Sequence, residues 1–415
     1  MIGSGVSGLV SAYRLRNDAE VHLIESDDRF GGHANTVEVE HEKPVKVDTG
    51  FIVYNNLTYP GLTELFDELE VKTVPTDMSF GVQDIKSGWQ YGTASFGSLF
   101  AQPWQLLNPS FLGVWWDFMK FRKQAQRFQA DPEKDASTTV GGLIELAGCG
   151  RAFKERFLFA MAGAIWSTAP QEIEGYPALS FLDFMFNHRM LDPWGQPVWR
   201  TVDGGSQRYV NRILDKGGFR RQKGNGAKRV SRQEDGVLVE FEDGSSKQFD
   251  EVIMATHSDT ALELLDDPSE EEKEILGAIT YQPNTAVLHS DESLMPPNRK
   301  SWAAWNVCLP MNPQERVELT YDMNVLQHLK DGRWLVTLNP DRAIDPEKVH
   351  RTFEYHHPYF DVEALGAQMK WDKISGDKRT HYCGAYWRHG FHEDGLWSAM
   401  RVVDHVLKGI RGKSE

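Results

Sequence analysis

The stretch GSGVSG, residues 3–8, decides the fold of this chain. Its glycines, Gly3, Gly5 and Gly8, match the G-x-G-x-x-G pattern of a turn between a β-strand and a helix. In such a turn the first glycine permits a tight bend, and the second lets the backbone approach a pyrophosphate. The third allows close packing of helix on strand, and the free amides at the helix start attract phosphate. The pattern therefore predicts a dinucleotide-binding site.

The next strand supports this prediction. Residues 20–25, EVHLIE, are mainly apolar and β-branched, and they end in Glu25, where an acid would bind a ribose hydroxyl. Only Met1 and Ile2 precede the glycine turn, although a whole strand normally does. We therefore expect either that native residues precede this sequence, or that the sheet is incomplete and cofactor binding is impaired.

A second glycine pair follows that strand in DDRFGGHANT, residues 27–36. Gly31 and Gly32 allow another close backbone approach, and Arg29 adds a cation suited to a pyrophosphate. An NAD site has no need of this second loop, so the pair favours FAD. His33 comes next and is expected near the isoalloxazine end, where an imidazole can carry a proton or simply tie loops together.

Composition restricts the function classes. The 415 residues suffice for about two or three domains, and the net charge of −15 argues against a nucleic-acid partner, which would be repelled. The three cysteines form no CxxC pair and the histidines show no metal-ligand spacing, so we expect no metal. Sparse cysteines and the lack of a long apolar run favour a cytoplasmic protein without a transmembrane helix.

Patterns farther along the chain indicate further elements. Residues 61–71 predict a short amphipathic helix, and the aromatic-rich residues 80–200 are expected to be mostly helical. Residues 229–256 predict a β-meander with turns at DG and EDGSS. Residues 379–410 read as a strand, a loop and a final helix that starts near HEDGL.

Together these motifs resemble the flavin-containing amine oxidase superfamily, which joins G-x-G-x-x-G, an acidic strand end and R-x-G-G in one N-terminal run. More narrowly, the chain is similar to a branch of predicted NAD/FAD-binding proteins that carry GGHANT, DTGFIVYN, AIWS, GG-S-Q-x-Y, VIMATH and CGAY…GFHEDGL in this order. The resemblance covers essentially the whole chain. Members of the branch are often encoded beside cyclopropane-fatty-acid-synthase-like genes, which hints at lipid chemistry.

The resemblance implies an α/β fold with a Rossmann-like FAD-binding domain and a discontinuous α+β substrate domain of the amine-oxidase type. The FAD domain would comprise residues 1–75, 202–260 and 371–415, and the substrate domain residues 76–201 and 261–370. The residues that the resemblance implies for FAD binding are Gly3, Gly5, Gly8, Glu25, Arg29, Gly31, Gly32, Val230, Ala255, Gly384, Glu393, Asp394, Gly395 and Leu396. Val230 would read adenine through its backbone. The helix start at HEDGL would face the flavin pyrimidine ring and stabilise the anion formed on reduction.

The catalytic side is less clearly marked. Hydride transfer to a flavin often needs no protein acid or base, so the pocket chiefly orients the substrate. We take His33, Trp166 and Trp305 as candidate catalytic residues, although Trp166 can equally be a core residue. Lys300 could stand for the lysine that amine oxidases place near the flavin, or it could be a solvated loop residue.

Residues 111–129, FLGVWWDFMKFRKQAQRFQ, combine aromatic and basic side chains at helical spacing. Phe111, Trp115, Phe118, Met119 and Phe121 can share one broad face. Such a helix can lie on a membrane surface or contact a lipid, or it can cap the pocket and bury its aromatic rings.

The sequence as a whole predicts an FAD-dependent oxidoreductase acting on a small apolar molecule. The expected reaction is a two-electron oxidation, desaturation or isomerisation, with a fatty-acyl substrate in view. One alternative is a flavin amine oxidase acting on a primary or secondary amine. Another is a non-catalytic scaffold that keeps FAD as a structural element.

Overall fold

The structure is a computed structural model, and it describes residues 1–135, 137–312 and 314–412. The strands in these ranges are β1 (His22–Ile24), β2 (Thr36–Val39), β3 (Val45–Asp48), β4 (Tyr54–Asn55), β5 (Thr73–Pro75), β6 (Phe80–Asp84), β7 (Trp89–Gly92), β8 (Trp199–Val202), β9 (Arg220–Gln222), β10 (Ala227–Arg232), β11 (Val237–Phe241), β12 (Ser246–Phe249), β13 (Val252–Met254), β14 (Thr280–His289), β15 (Trp305–Leu309), β16 (Glu318–Asp322), β17 (Leu335–Leu338), β18 (Val349–Tyr359) and β19 (Thr380–Tyr382). The α-helices are α1 (Val6–Leu15), α2 (Pro60–Glu68), α3 (Phe96–Leu99), α4 (Pro109–Ala130), α5 (Val140–Ala147), α6 (Arg151–Phe153), α7 (Phe159–Trp166), α8 (Pro170–Glu174), α9 (Ala178–Asn187), α10 (Gln207–Gly217), α11 (Ser258–Leu264), α12 (Glu270–Gly277), α13 (Met323–Leu326), α14 (Val362–Gln368) and α15 (His392–Gly412).

The glycine turn lies at the centre of a parallel sheet. β1 pairs with β9 and β13 with β19, and Ile2 bridges Ile24 of β1 and Met254 of β13. The Ile2 amide donates to the Ile253 carbonyl, and the Ile24 amide donates to the Met1 carbonyl, each over 2.9 Å. The two residues before the turn thus occupy the central strand position. The turn opens at the carboxyl ends of the neighbouring strands, where nucleotides bind in such sheets.

The helix after the turn is buried on nearly every side. All residues of α1 except Arg14 are buried, and the helix packs against α10 and α15. A Cβ added to Gly8 would overlap the Gly3 carbonyl oxygen, and one added to Gly395 would lie 2.6 Å from Val6 Cγ1. Glycine at these two positions therefore lets α1 approach both the turn and α15.

Several predicted elements are confirmed around this sheet. β10, β11 and β12 form the antiparallel meander, α2 covers most of the predicted helix at 61–71, and α15 begins at HEDGL. The expectation that residues 80–200 are mostly helical is wrong for their first part, because β6 and β7 form a hairpin there. β6 pairs in parallel with β15, more than 200 residues away, so this strand depends on a distant partner rather than on local composition.

A large mixed sheet supports the second half of the molecule. Its strand order is β18-β14-β17-β16-β15-β6-β7, and all its pairs are antiparallel except β15 with β6. Helices α4 to α9 contribute buried side chains to the core beside this sheet.

The buried apolar side chains form two clusters. One surrounds the parallel sheet, the meander and α1, and the other joins the large sheet to α4–α9. The predicted substrate domain contains residues 261–264 of α11 and all of α12 and α14, yet Ala261, Ile275 and Ala364 belong to the first cluster. We keep the two-domain division as a proposal and move its later boundaries to the starts of β14 and α14.

Candidate active site

A cavity of about 710 Å³ extends from the glycine turn to the large sheet. Residues of both core regions line it, so it joins the two parts of the molecule. The site residues expected from the sequence that line this cavity are Gly3, Gly5, Glu25, Arg29, Gly32, His33, Trp166, Ala255, Trp305 and Gly384. Those that do not line it are Gly8, Gly31, Val230, Glu393, Asp394, Gly395 and Leu396.

The glycines of the turn have different roles. A Cβ at Gly3, whose φ is +97°, would lie 2.6 Å from the Ala255 carbonyl oxygen, so Gly3 permits close contact between the turn and β13. A Cβ at Gly5 would meet no atom within 4 Å. Gly5 thus leaves room at the start of α1, where free helical amides can hold a phosphate.

The second glycine loop folds onto the first. The Gly31 amide donates to the carbonyl of Ser4 over 3.1 Å and lies 3.2 Å from its hydroxyl oxygen. Arg29 donates to the carbonyls of Gly32, over 2.7 Å, and Ala34, over 3.3 Å. Arg29 borders the cavity, but these bonds make it a brace of the loop as well as a cation near the phosphate position.

Glu25 ends β1 at the cavity, as the sequence predicts. Its carboxylate accepts hydrogen bonds from the Ser4 amide at 3.0 Å, the Ser4 hydroxyl at 2.5 Å and the Asp27 amide at 3.0 Å. The Ser26 hydroxyl donates a fourth and longest hydrogen bond, at 3.3 Å. A carboxylate offers about four acceptor positions, so a ribose hydroxyl would donate to Glu25 in place of the rotatable Ser26 hydroxyl. Together with the free space at Gly5, this arrangement fits a dinucleotide.

The position expected to read adenine needs correction. Val230 is buried, pairs with Val239, and accepts a hydrogen bond from the Asp266 amide at 3.0 Å, so it does not reach the cavity. Ala227 lines the cavity instead, and the register of β10 shifts between Ala227 and Arg229. A bulge of this kind breaks the simple alternation of strand residues, so that Ala227 and not Val230 faces the cavity.

Two strand ends complete the nucleotide side. Ala255, after β13, donates its amide to the Ile2 carbonyl over 2.8 Å. Gly384, after β19, donates its amide to Ser398 Oγ over 2.7 Å, and a Cβ there would overlap the Tyr386 ring. Both residues line the cavity.

The side chains of HEDGL hold the last helix in place instead of lining the cavity. Glu393 accepts hydrogen bonds from the Gly61 and Leu62 amides at 2.8 and 2.9 Å, and so caps α2. Asp394 accepts one from the Phe391 amide at 2.9 Å, and burial raises its pKa to about 7. Gly395 packs on α1, and Leu396 is buried in the core around the parallel sheet.

Only the first residue of that helix, His392, faces the cavity. Its ring stacks on Phe51 at 3.8 Å between centroids, and its Nε2 lies 3.1 Å from Tyr209 Oη. Successive side chains of a helix point in different directions, so one side chain of the first turn can face a ligand while the next ones turn away. The backbone start of α15 remains the candidate flavin contact.

Three histidines meet beside the second glycine loop. The His33 ring centroid lies 5.7 Å from that of His357 and 6.4 Å from that of His257. His33 Nε2 is buried and accepts or donates no hydrogen bond among the described residues. Burial, assisted by the neighbouring histidines, lowers the pKa of His33 well below its usual value, and burial lowers that of His357 to about 4. An unpartnered nitrogen in the cavity wall is free to form a hydrogen bond with a group bound there.

Tyr355 connects these histidines to the glycine loops. Its ring centroid lies 4.9 Å from that of His33, and its hydroxyl accepts a hydrogen bond from Asn35 Nδ2 and pairs with Thr49 Oγ1, each at 2.9 Å. Sequence reasoning missed Tyr355 and His357. No local signal marks them, because β18 reaches the cavity only through its pairing with β14.

The far end of the cavity is aromatic. The ring centroid of Trp166 lies 4.8 Å from that of Phe184 and 5.7 Å from that of Tyr176. The rings of Trp305 and Tyr321 pack edge to face, with 5.0 Å between their centroids. Further apolar residues of this end are Met78, Ile165, Met190, Trp199, Phe353, Phe360 and Phe391.

Charged groups are sparse at that end. Among the described lining residues the acids are Glu25 and Asp27, at the nucleotide end, and Glu354, which is exposed and accepts a hydrogen bond from Thr285. Lys300 is exposed and does not line the cavity.

The described residues contain neither a cluster of potential metal ligands nor a helix suited to span a membrane. No three potential ligand side chains there cluster as a metal ion requires. None of the helices in the described ranges is long and apolar enough to cross a membrane.

Comparison with known proteins gives one family and a common fold. The family model for flavin containing amine oxidoreductase matches residues 6–304. A CLA-producing fatty acid isomerase from P. acnes superposes with a TM-score of 0.69 at 15% identity, over 97% of each chain. Wild-type putrescine oxidase bound to putrescine gives 0.69 at 16% over 98% of each chain. Cyclohexylamine oxidase from Brevibacterium oxydans IH-35A gives 0.68 at 16%, over 99% of this chain and 98% of the other. No curated protein matches the sequence.

Proposed function

Because the chain belongs to the family of flavin-containing amine oxidoreductases, we propose that it binds FAD and catalyses a two-electron oxidation, desaturation or isomerisation of an apolar substrate. The resemblance, the α/β fold class and the assignment as a flavin-dependent oxidoreductase, all predicted from the sequence, are confirmed by the family match and the shared fold. Because the family consists of oxidoreductases, we do not pursue the alternative of a non-catalytic scaffold that keeps FAD as a structural element. One observation carries the substrate proposal: the cavity is glycine-lined at one end and aromatic, without a buried acid in its lining, at the other.

The cofactor proposal rests on the nucleotide end. Gly5 and the start of α1 would hold the pyrophosphate, Glu25 the ribose, and Ala227 the adenine through its backbone. The start of α15 at His392 would face the flavin ring. FAD, when bound, accepts a hydride from a C–H bond of the substrate.

The protein's own contribution is orientation and exclusion of water. Trp166 and Trp305 would hold an alkyl chain in one position, since aromatic side chains bury a large apolar area and are themselves rigid. His33 Nε2 would accept a hydrogen bond from a bound group. The lowered pKa keeps its imidazole neutral near pH 7 and thus able to accept.

The apolar wall favours a fatty-acyl chain over an amine. A protonated amine that enters the aromatic end loses its hydration, and no buried carboxylate in the cavity lining pairs with its charge. This loss of hydration costs free energy of binding. One observation favours amine oxidation as the second candidate: Trp305 and Tyr321 stand edge to face and could contact a cation through their rings.

The test begins with the purified full chain. Its visible spectrum and acid extraction of the cofactor identify a flavin and distinguish FAD from smaller flavins. Unsaturated fatty acids and primary amines are then added without oxygen, and both bleaching of the flavin band and double-bond migration in recovered lipid are measured. Bleaching by amines alone moves the assignment to amine oxidation. Well-folded, colourless protein that refuses added FAD overturns the proposal.

A further inference from the structure

Exposed apolar side chains concentrate in one segment of the described surface. Between residues 96 and 116 they are Phe96, Trp104, Leu106, Leu107, Leu112 and Trp116. Leu107 is 87% exposed and Trp116 72%. The segment comprises α3, the 3₁₀ helix Pro103–Leu107 and the first half of α4, which follow each other directly along the chain. A concentration of this kind marks an interaction surface.

Helix α4 is apolar on two faces. Phe111, Phe118 and Phe121 are buried on its inner face. Leu112, Trp116 and Met119, spaced by four and three residues, lie exposed on the other face, so the expectation that Met119 shares the inner face is wrong. A surface helix with one buried face normally carries polar residues opposite to it. The outer face of α4 is therefore built for a partner.

Charge near this segment is opposite to that of the protein as a whole. Asp117 is the one acid of residues 96–130, and it pairs with Lys120 at 2.7 Å. Lys123 continues the line of Trp116 seven residues later, and both Lys123 and Arg127 are exposed. Asp131 and Glu133 follow the helix and are exposed, so the basic character belongs to the outer face and not to the helix end. In a chain with a net charge of −15, this basic face favours an anionic surface as the partner.

We propose that this docking surface, the exposed side chains of residues 96–119 with Lys123 and Arg127, binds the anionic face of a lipid bilayer. Trp104 and Trp116 suit the interface between headgroups and acyl chains, and Leu107 can enter the acyl region. A second copy of the chain is a poorer partner, because it would bring like charges together. The inference goes beyond the proposed function and does not depend on it.

The experiment measures binding of the full chain to vesicles of phosphatidylglycerol and phosphatidylcholine by co-sedimentation. The double variant Leu107→Ser/Trp116→Ser should lower partitioning at least about 30-fold, because each side chain contributes apolar burial. The matched control is Val362→Ser/Met369→Ser, since these apolar side chains at the two ends of α14 are 67% and 87% exposed. The control should bind within about twofold of the unchanged protein.

A second variant tests the charge. Lys123→Glu/Arg127→Glu should weaken binding at least about tenfold at low salt, because each basic residue near the surface attracts anionic lipid. The difference should shrink as salt is added. Circular dichroism of each variant reports its fold. Quenching of tryptophan fluorescence by lipids with a spin label measures contact in the unchanged protein, without any substitution.

Two results would overturn the inference. One is equal vesicle binding by Leu107→Ser/Trp116→Ser and its control. The other is a lack of vesicle binding and lipid quenching together with a dimer on size exclusion that this variant abolishes, which would assign the surface to a second copy.

Discussion

The nucleotide end and the substrate end of the cavity are built in different ways. At the nucleotide end, Gly5, Glu25 and Gly32 lie within 28 residues of one another, and backbone groups do most of the contacting. At the substrate end, Trp166, Trp305 and other aromatic side chains come from elements far apart in the chain. A site made of backbone turns is encoded locally, whereas one made of side chains depends on how distant strands pair.

The sharpest test of this difference is Gly5→Leu. The Cβ meets no atom within 4 Å and the φ of Gly5 is −63°, so the fold should persist. FAD affinity should fall roughly 1,000-fold, about 4 kcal/mol, because the side chain fills the place of the pyrophosphate. Titration with FAD, followed by flavin fluorescence, measures it. Gly409→Leu, at an exposed helical glycine with equal free space, is the control, and a Gly5→Leu variant that binds FAD normally would break the comparison.

The next effect separates folding from binding within the same turn. In Gly8→Val the new Cβ would overlap the Gly3 carbonyl oxygen, a backbone atom that cannot move aside. The free energy of unfolding should fall by about 3 kcal/mol, as is usual for severe overpacking. Urea denaturation measures it. Gly409→Ala, at an exposed position of α15, should raise the free energy of unfolding by up to about 1 kcal/mol. A lack of destabilisation in Gly8→Val would contradict the expected packing.

Asp394 tests whether HEDGL side chains serve the fold rather than the nucleotide. Burial raises the pKa of Asp394 from its usual 3.8 to about 7. The native state therefore holds its proton more tightly, so this contribution to stability is complete below about pH 4 and is lost as the pH rises through about 7. Asp394→Asn keeps an acceptor for the Phe391 amide and removes that dependence.

Between about pH 5 and pH 8 the unchanged protein should lose roughly 2 kcal/mol more stability than Asp394→Asn. Thermal unfolding across this range measures the difference, with Asp404→Asn, an exposed acid of the same helix, as the control. The affinity for FAD should stay within about threefold, and a larger loss would return Asp394 to the cofactor site.

The smallest effect belongs to the substrate end. Trp305→Ala should raise the KM of the apolar substrate roughly tenfold, since it removes buried contact area from one wall. The Kd of FAD should not change, because Trp305 lies at the other end of the cavity. Steady-state kinetics and FAD titration measure the two constants. Trp194→Ala, on the exposed surface, is the control; parallel losses in both constants for Trp305→Ala would argue against separate ends.

Sequence reasoning succeeded where structure is local. The two glycine loops and Glu25 lie where the motif predicts, because turn geometry is set by the residues of the turn itself. Val230 and Glu393 do not line the cavity, because Val230 lies beyond a bulge of β10 and Glu393 caps α2, more than 300 residues earlier in the chain. Sequence reasoning did not anticipate either placement. It could not find His357, because this residue is brought to the cavity by β18 and β14 pairing along ten residue positions.

Tyr355 connects the nucleotide end of the cavity to its substrate end. Its hydroxyl bonds Asn35 and Thr49, next to the second glycine loop, while its strand carries His357 into the adjoining cavity wall. A ligand that orders the second glycine loop should also order this wall, because the buried hydrogen bonds of the Tyr355 hydroxyl connect the two. Binding at either end of the cavity should consequently raise the affinity at the other end by the same factor.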